Sequence, residues 1–421
     1  MPDDAVYVGI DLGTSGARVV GMAASGQVLA EGRSALSDHG SDHRDPLTWW
    51  AAVCSALERA LPALKDRTVQ GICVDATSGT LLALSEDGTV LSPGSMYNDR
   101  CGDEAILERV VDVAPSSSAV HGPSSALARA LELQNACCPH RIVHQADWIA
   151  GQLCGVFASD HNNALKTGYD SVAGQWPDWM PDTGLDMKLL PPVHEPGTVY
   201  AQLTAGMAAR FSLSESVRLV SGTTDGCASF IATGASQAGD GVTALGTTLT
   251  IKLLSDVPVF DPACGVYSHR IMGLWLAGGA SNTGGNVLLA HFDESQIRQL
   301  SARIDAETDS GLDYYPLITP GERFPIADST LPPRLSPEPA DRCLFLKGML
   351  EGIADIERQS YQRLYELGAP RLRSVRSVGG GATSEVWTRI RARRLSIPMY
   401  LPDNAQAAYG AAVLARFGLL Q

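Results

Sequence analysis

Two strand–turn–strand patterns rich in glycine and threonine constrain this chain more than anything else in it. The first is Asp11-Leu12-Gly13-Thr14-Ser15-Gly16-Ala17-Arg18. Before it, Val6, Val8 and Ile10 alternate with Tyr7, Gly9 and Asp11 at strand period, and residues 18–22 and 28–30 continue as strands. The second is Leu245-Gly246-Thr247-Thr248, between strand-like residues 241–244 and 249–252. Glycines let a backbone turn bring its N–H groups close to an anion, and the threonines add hydroxyl donors. A carboxylate at the end of the first strand would repel phosphate unless a divalent cation lies between them. Mg2+ takes oxygen ligands of this kind, often through water. Either pattern alone reads equally well as an ordinary hairpin. Together they read as two backbone clamps for one polyphosphate, and as the mark of a duplicated domain.

The intervening sequence fits an α/β protein of two lobes. Asp45-Pro46 opens a helix whose apolar stripe is Trp49, Trp50, Val53, Leu57, Ala60 and Leu61. Residues 69–75 return as a strand, with Leu81-Leu82-Ala83-Leu84 expected beside it. Residues 102–155 are helix-rich, residues 308–342 are irregular and proline-rich, and residues 343–368 form a long helix.

Four further segments carry candidate chemistry. Ser221-Gly222-Thr223-Thr224-Asp225-Gly226 places an aspartate at the start of an apolar helix. It reads as a helix cap or, in a cleft, as a base that takes a proton from a substrate hydroxyl. Gly379-Gly380-Gly381 follows a strand and precedes a helix, so a flat group can press on bare backbone beside an electropositive helix start. Asp75-Ala76-Thr77-Ser78-Gly79-Thr80 and Met96-Tyr97-Asn98-Asp99-Arg100 offer the hydroxyl, carboxylate and amide groups that polyol recognition needs, or are simple turns.

Composition excludes several classes. The 421 residues carry 32 Lys plus Arg against 46 Asp plus Glu, a net charge of -14, which opposes nucleic-acid binding. No apolar run is long enough to span a bilayer, and no signal peptide is apparent, so a cytoplasmic protein with no membrane partner is expected. The nine cysteines are scattered without a CxxC pair, as expected of reduced thiols.

In chain order these segments resemble the FGGY carbohydrate kinases, a branch of the superfamily that also holds hexokinase, heat-shock chaperones and actin. The resemblance spans essentially the whole chain. It implies two ribonuclease-H-like lobes of α/β structure around a central cleft, the actin-like ATPase fold. Residues 1–224, completed by a C-terminal helix at 402–421, would form the sugar- and phosphate-binding lobe, and residues 225–401 the nucleotide-binding lobe. ATP and Mg2+ are the implied cofactors. Asp11 and Thr14 match the family's phosphate and metal hairpin, with Gly13, Thr14, Gly246 and Thr247 on the phosphates and Asp11 on the metal. Gly222-Thr223-Thr224-Asp225 match its catalytic-base segment, making Asp225 the base and Asp11 its catalytic companion. Gly380, Gly381, Ser384 and Trp387 match its adenosine loop, and Ala-Ala-Tyr-Gly-Ala-Ala at 407–412 its last helix. Substrate contacts would come from Asp11, Ser15, Gly16, Ala17, Arg18, Ser78 and Asp225.

The segment at 75–80 is similar to the substrate strand of D-ribulokinase- and xylulokinase-like members, with Ala76 for the usual Gly and Arg129 for the usual Lys. The chain is short for a xylulokinase, and its compact length, Thr77-Ser78-Gly79-Thr80 and the Gly-Leu-Asp-Tyr-Tyr run at 311–315 resemble the small ribulokinase group. The implied activity is phosphorylation of a pentulose hydroxyl, D-ribulose favoured. D-xylulose or a polyol is the alternative within the family. An ATPase of actin or chaperone type, with no sugar substrate, is the alternative from another class.

Overall fold

The computed structural model describes residues 4–421. It divides into two compact units. One comprises the chain through Ala232 with His269–Gly273 and Asn404–Gln421, and the other comprises Thr233–Ser268 and Leu274–Asp403.

In the first unit, β1 (Ala5–Leu12), β2 (Gly16–Ala23) and β3 (Val28–Ala35) form an antiparallel meander. β4 (Thr68–Ala76) then pairs in parallel with the other edge of β1. Beyond a small two-stranded sheet, β5 (Leu81–Leu84) with β6 (Arg141–His144), the main sheet gains β7 (Val199–Gln202) and β8 (Arg218–Thr224). Its order is β3-β2-β1-β4-β8-β7, with β8 parallel to β4. Every residue of β1 is buried, which is why Val6, Val8, Ile10 and Leu12 share the strand with the small Ala5 and Gly9. The helix Pro46–Ala60 covers the sheet through Trp49, Val53 and Leu57, and its start is capped where Leu47 N–H donates to Asp45 Oδ1 at 2.9 Å.

β5 differs from expectation. It pairs with β6 and not with β4, because β1 and β8 already occupy both edges of β4.

The C-terminal helix Ala407–Leu420 packs on β1, β4 and the helix Asp225–Ala232. Small residues make this seating possible. A Cβ on Gly9 would collide with the Ala408 carbonyl oxygen and the Ala412 nitrogen. The helix Asp225–Ala232 therefore stays with the first unit, and the division falls after it, at Ala232.

The second unit repeats the pattern. β9 (Asp240–Leu245) and β10 (Leu249–Ser255) form a hairpin, followed by β11 (Tyr267–Ile271) and β12 (Leu274–Ser281). β13 (Ser374–Val378) and β14 (Met399–Tyr400) add in parallel on the other edge of β9. The order β11-β12-β10-β9-β13-β14 has the same sense as the first sheet, an antiparallel meander followed by parallel strands. The duplication suggested by the two hairpins is thus present in the topology.

Behind this sheet, the long helix Arg342–Glu366 and the helix Glu385–Leu395 are joined by a buried ion pair. Arg391 Nε and Nη2 each donate to Glu357 at 2.6 Å, Thr243 Oγ1 donates to the same carboxylate at 2.6 Å, and Arg391 Nη1 reaches Ser377 Oγ at 2.7 Å. A two-pronged pair with its remaining donors satisfied offsets the desolvation of both charges.

Gly9→Ala is expected to lower the unfolding free energy by about 1–3 kcal/mol, the usual cost of overpacking. Denaturant unfolding monitored by circular dichroism measures it, and wild-type stability would show that the C-terminal helix is not seated there.

Candidate active site

β1, β4 and β8 are adjacent and parallel, so their carboxyl ends lie side by side, where open α/β sheets bind ligands. The register pairs Asp11 with Asp75 and Asp75 with Thr223, and Asp225 follows as the first residue of its helix. Three carboxylates therefore share one end of the sheet.

Asp75 is fully buried, and among the described residues no N–H or hydroxyl group reaches either carboxyl oxygen. Burial, and then the charges of Asp11 and Asp225, push its pKa well above the usual carboxylate range. Asp11 is also buried, and burial raises its pKa. Arg18, its cross-strand partner, opposes that shift with Nη1 at 3.2 Å from Oδ2. Asp225 is half-buried, and its Oδ1 accepts from Gly226 N at 2.7 Å.

The turn between β1 and β2 is closed by Gly13 N–H donating to Gly16 O at 3.1 Å, and Leu36 N–H donates to Ser15 O at 3.0 Å. Thr14 and Ser15 are exposed, so their hydroxyls face outward from this turn. Gly16 lies against the Ser34 carbonyl, with no room for a side chain. Ala17 is different from its neighbours. Its side chain is 1% exposed and packs into the hydrophobic core, so its methyl group does not face a ligand. Ser78 follows β4, and its Oγ is buried with no partner among the described residues.

The structure thus gathers Asp11, Arg18 and Asp225 by charge and adds Asp75, which the sequence reading placed in a candidate polyol segment without giving it a role of its own. Asp75 was detectable as the single charge in the buried run Gly71-Ile72-Cys73-Val74-Asp75-Ala76, at the position in β4 that Asp11 holds in β1.

The second unit contains a cavity of about 990 Å³, and Gly246, Thr247, Gly380, Gly381, Ser384 and Trp387 all line it. Gly379, with φ +87°, turns the chain after β13, and a Cβ there would stand 2.8 Å from Leu245 O. Gly381 faces the Trp387 ring, which a Cβ would approach to 2.5 Å. Ser384 Oγ caps the following helix, accepting from Trp387 N at 3.4 Å. Trp387 is 3% exposed and donates through Nε1 to Leu350 O at 3.2 Å, so it builds a wall of the cavity from within the core. The helix Glu294–Ser301 supplies the facing wall through Ile297, Arg298 and Ser301, and no motif announced it. A cavity of this size, with bare glycine backbone, apolar walls and a helix start, suits a flat heterocycle bearing an anionic tail.

Among the described residues, no group of three or more His, Cys, Asp and Glu side chains is arranged to hold a metal ion, and no helix is long and apolar enough to cross a membrane.

Residues 241–419 match the FGGY family of carbohydrate kinases, C-terminal domain. Xylulose kinase from Bacillus subtilis (strain 168) is 24% identical over 444 residues, covering 98% of this chain and 88% of that protein. Autoinducer-2 kinase from Yersinia pestis (strain Pestoides F) is 26% identical over 297 residues, covering 65% of this chain and 56% of that protein. The crystal structure of xylulose kinase from Rhodospirillum rubrum aligns with a TM-score of 0.83 at 24% identity, covering 98% of this chain and 90% of that one. The chain therefore has the two-lobed actin-like ATPase fold of these proteins.

The raised pKa of Asp75 has a consequence for stability. The native state holds a proton that the unfolded chain releases above pH about 4, so stability falls as pH rises beyond that point. In Asp75→Asn this fall is expected to be shallower, measured as Tm between pH 5 and pH 8. An unchanged slope would show that Asp75 titrates like a surface carboxylate.

Proposed function

We propose that this chain, a member of the FGGY family of carbohydrate kinases, transfers the γ-phosphoryl group of ATP to a terminal hydroxyl of a ketopentose, with D-ribulose the favoured acceptor. The observation that carries this reading is the end of the first sheet, where Asp225 joins Asp11 and Asp75 and the buried Ser78 hydroxyl is left without a partner. Buried polar atoms are normally bonded, so an orphan hydroxyl in such a place is one that a ligand satisfies. The likeness of Thr77-Ser78-Gly79-Thr80 to ribulokinase-like members supports D-ribulose. D-xylulose is the second reading, supported by the xylulose kinases among the relatives.

In this reading the second unit binds ATP. The base lies on Gly380-Gly381 beside Ser384 and Trp387, with Gly246 and Thr247 contacting the phosphates. The acceptor sugar is held by the first unit through Asp11, Arg18, Ser78 and the backbone of Ser15, Gly16 and Ala17. The Asp225 carboxylate takes the proton of the acceptor hydroxyl. That oxygen attacks the γ-phosphorus, the bond to the bridging oxygen of ADP breaks, and the sugar phosphate and ADP leave. General-base assistance contributes about 10²–10⁴ in rate, with positioning and electrostatics supplying the rest.

The Arg18 charge favours the ionised form of Asp11. Mg2+ bound with ATP would neutralise phosphate charge, and Asp11, whose Oδ2 is bonded to Arg18, would hold it through Oδ1, directly or through water.

A coupled ADP-release assay with D-ribulose, L-ribulose, D-xylulose, glycerol and xylitol tests the reading. Turnover that depends on a ketopentose is expected. ATP hydrolysis at one rate across the whole panel would instead favour an ATPase without a sugar acceptor. Asp225→Asn is expected to lose at least about 10²-fold in kcat while ATP binding by calorimetry is unchanged, and full turnover would remove Asp225 from its role.

Gly380→Leu offers an independent check on the nucleotide cavity. A Cβ at Gly380 meets nothing within 4 Å, so the added side chain extends into open space without straining the fold. The KM for ATP is expected to rise at least about tenfold with Tm unchanged. An unchanged KM would place the nucleotide elsewhere.

A further inference from the structure

Arg129 is a buried cation that the chemistry above does not use. It lies in the first turn of the helix Ala126–Cys137 and is 2% exposed. Among the described residues no carboxylate lies within ion-pair distance of it, and Asp99 and Glu132 act on it only from further away. Its guanidinium is spent on neutral oxygens. Nη2 donates to Gly79 O at 2.7 Å and to Ser124 O at 3.5 Å, and Nη1 donates to Ser95 O and Ser95 Oγ, each at 3.0 Å. Burial lowers its pKa to about 10, so it is still charged at neutral pH. Burying a charge without a counter-charge is costly. What the cost secures is visible in the turn that Arg129 holds.

That turn is Thr77-Ser78-Gly79-Thr80. Gly79 has φ +85°, and the carbonyl of this residue is the one that Arg129 grips. On the other side, Thr77 Oγ1 bonds Gln145 Oε1 at 2.6 Å and Thr80 Oγ1 at 2.8 Å. Tyr97 N–H donates to Thr80 Oγ1 at 3.2 Å, and the same peptide stretch, through Ser95, is the second hold of Arg129. The threonine hydroxyls of the turn are thus bonded into the protein, whereas the Ser78 hydroxyl is buried and unbonded.

We propose that Arg129 is a positioning residue that sets the Ser78 hydroxyl against the acceptor sugar and so governs discrimination between acceptors that differ in the orientation of one hydroxyl. The inference rests on the ketopentose-kinase reading. A planar fork reaches the Gly79 carbonyl and both Ser95 oxygens at once, and a lysine ammonium on its single stem does not. A hydroxyl displaced by a fraction of an ångström stops telling one epimer from another, because specificity of this kind depends on whether a buried polar partner is met.

The test is the ratio of kcat/KM for D-ribulose to that for D-xylulose in wild type, Arg129→Lys, Ser78→Ala and the double variant. In Arg129→Lys the ratio is expected to move at least about tenfold toward one, through KM for the better sugar, with KM for ATP within twofold of wild type. Ser78→Ala should move it likewise, and the double variant should go no further than the single ones, because both act through one hydroxyl. Should Arg129→Lys fail to fold, Ser95→Ala keeps the buried charge and removes one acceptor, and a smaller shift of the same sign is expected. A wild-type ratio in any folded Arg129 or Ser95 variant overturns the proposal. So does a loss spread equally over both sugars and ATP, which marks a purely structural role. Wild-type enzyme that phosphorylates neither ketopentose overturns the reading beneath it as well, so the two failures are told apart.

Discussion

Parallel pairing of β1, β4 and β8 forces three aspartates to one end of a single sheet, and much of the first unit is arranged around that crowding. Three ionised carboxylates so close would repel strongly in a medium poorer than water at screening charge. The structure resolves this in unequal ways. Asp75, in the middle and fully buried, is pushed well above the usual carboxylate range by burial and then by the charges of Asp11 and Asp225, and so keeps its proton. Asp11 also has the Arg18 guanidinium from the neighbouring strand. Asp225, beyond the last strand and half-buried, bonds its own helix start at Gly226. One end of a sheet thus presents a protonated carboxyl, a paired carboxylate and a more open one. Such graded environments separate the roles of groups that are chemically identical.

Much of this was legible in the sequence, for identifiable reasons. The glycine turns at Gly13, Gly246 and Gly379–Gly381 stand out as motifs, although only Gly379, by its φ of +87°, and Gly381, against the Trp387 ring, sit where a side chain would not be tolerated. Asp225 is visible because it follows an apolar strand with a Gly-Thr-Thr lead. Asp75 is hard to see because an aspartate near the end of an apolar run looks like the strand's edge, and burial is a property of the assembled sheet. Ala17 was assigned with its turn, but side chains alternate along a strand and this one faces the core. The helix Glu294–Ser301 left no trace, because the wall of a cavity needs shape and not a motif. Arg129 drew notice only as a departure from the usual Lys. Its partners are mostly backbone carbonyls, and no spacing in a sequence encodes those.

The two sheets show how little a shared topology decides about chemistry. Both run from an antiparallel meander into parallel strands, and both carry a Gly-Thr turn after their first strand. In the first, the parallel strand ends carry acids. In the second, β13 ends in three glycines, and the ion pair of Glu357 and Arg391 lies behind the sheet, fully enclosed. A charged pair buried there braces the helices that shape the cavity without lending its charge to it. Two frames of similar strand order thus differ in residue type at equivalent strand ends, acids in the first and glycines in the second.

The seating of the helix Ala407–Leu420 on β1 has a consequence for how the chain is made. The opening strands leave the ribosome before the second unit, yet the helix that covers one face of them is synthesised only after it. Domains otherwise tend to fold in the order in which they emerge. During translation, then, the β1 face around Gly9 stands uncovered while the whole second unit is produced and free to fold. Until that helix emerges the first unit cannot close, and the missing side chain at Gly9 that later admits the helix leaves the waiting sheet face shallow there, with little for a stray partner to grip.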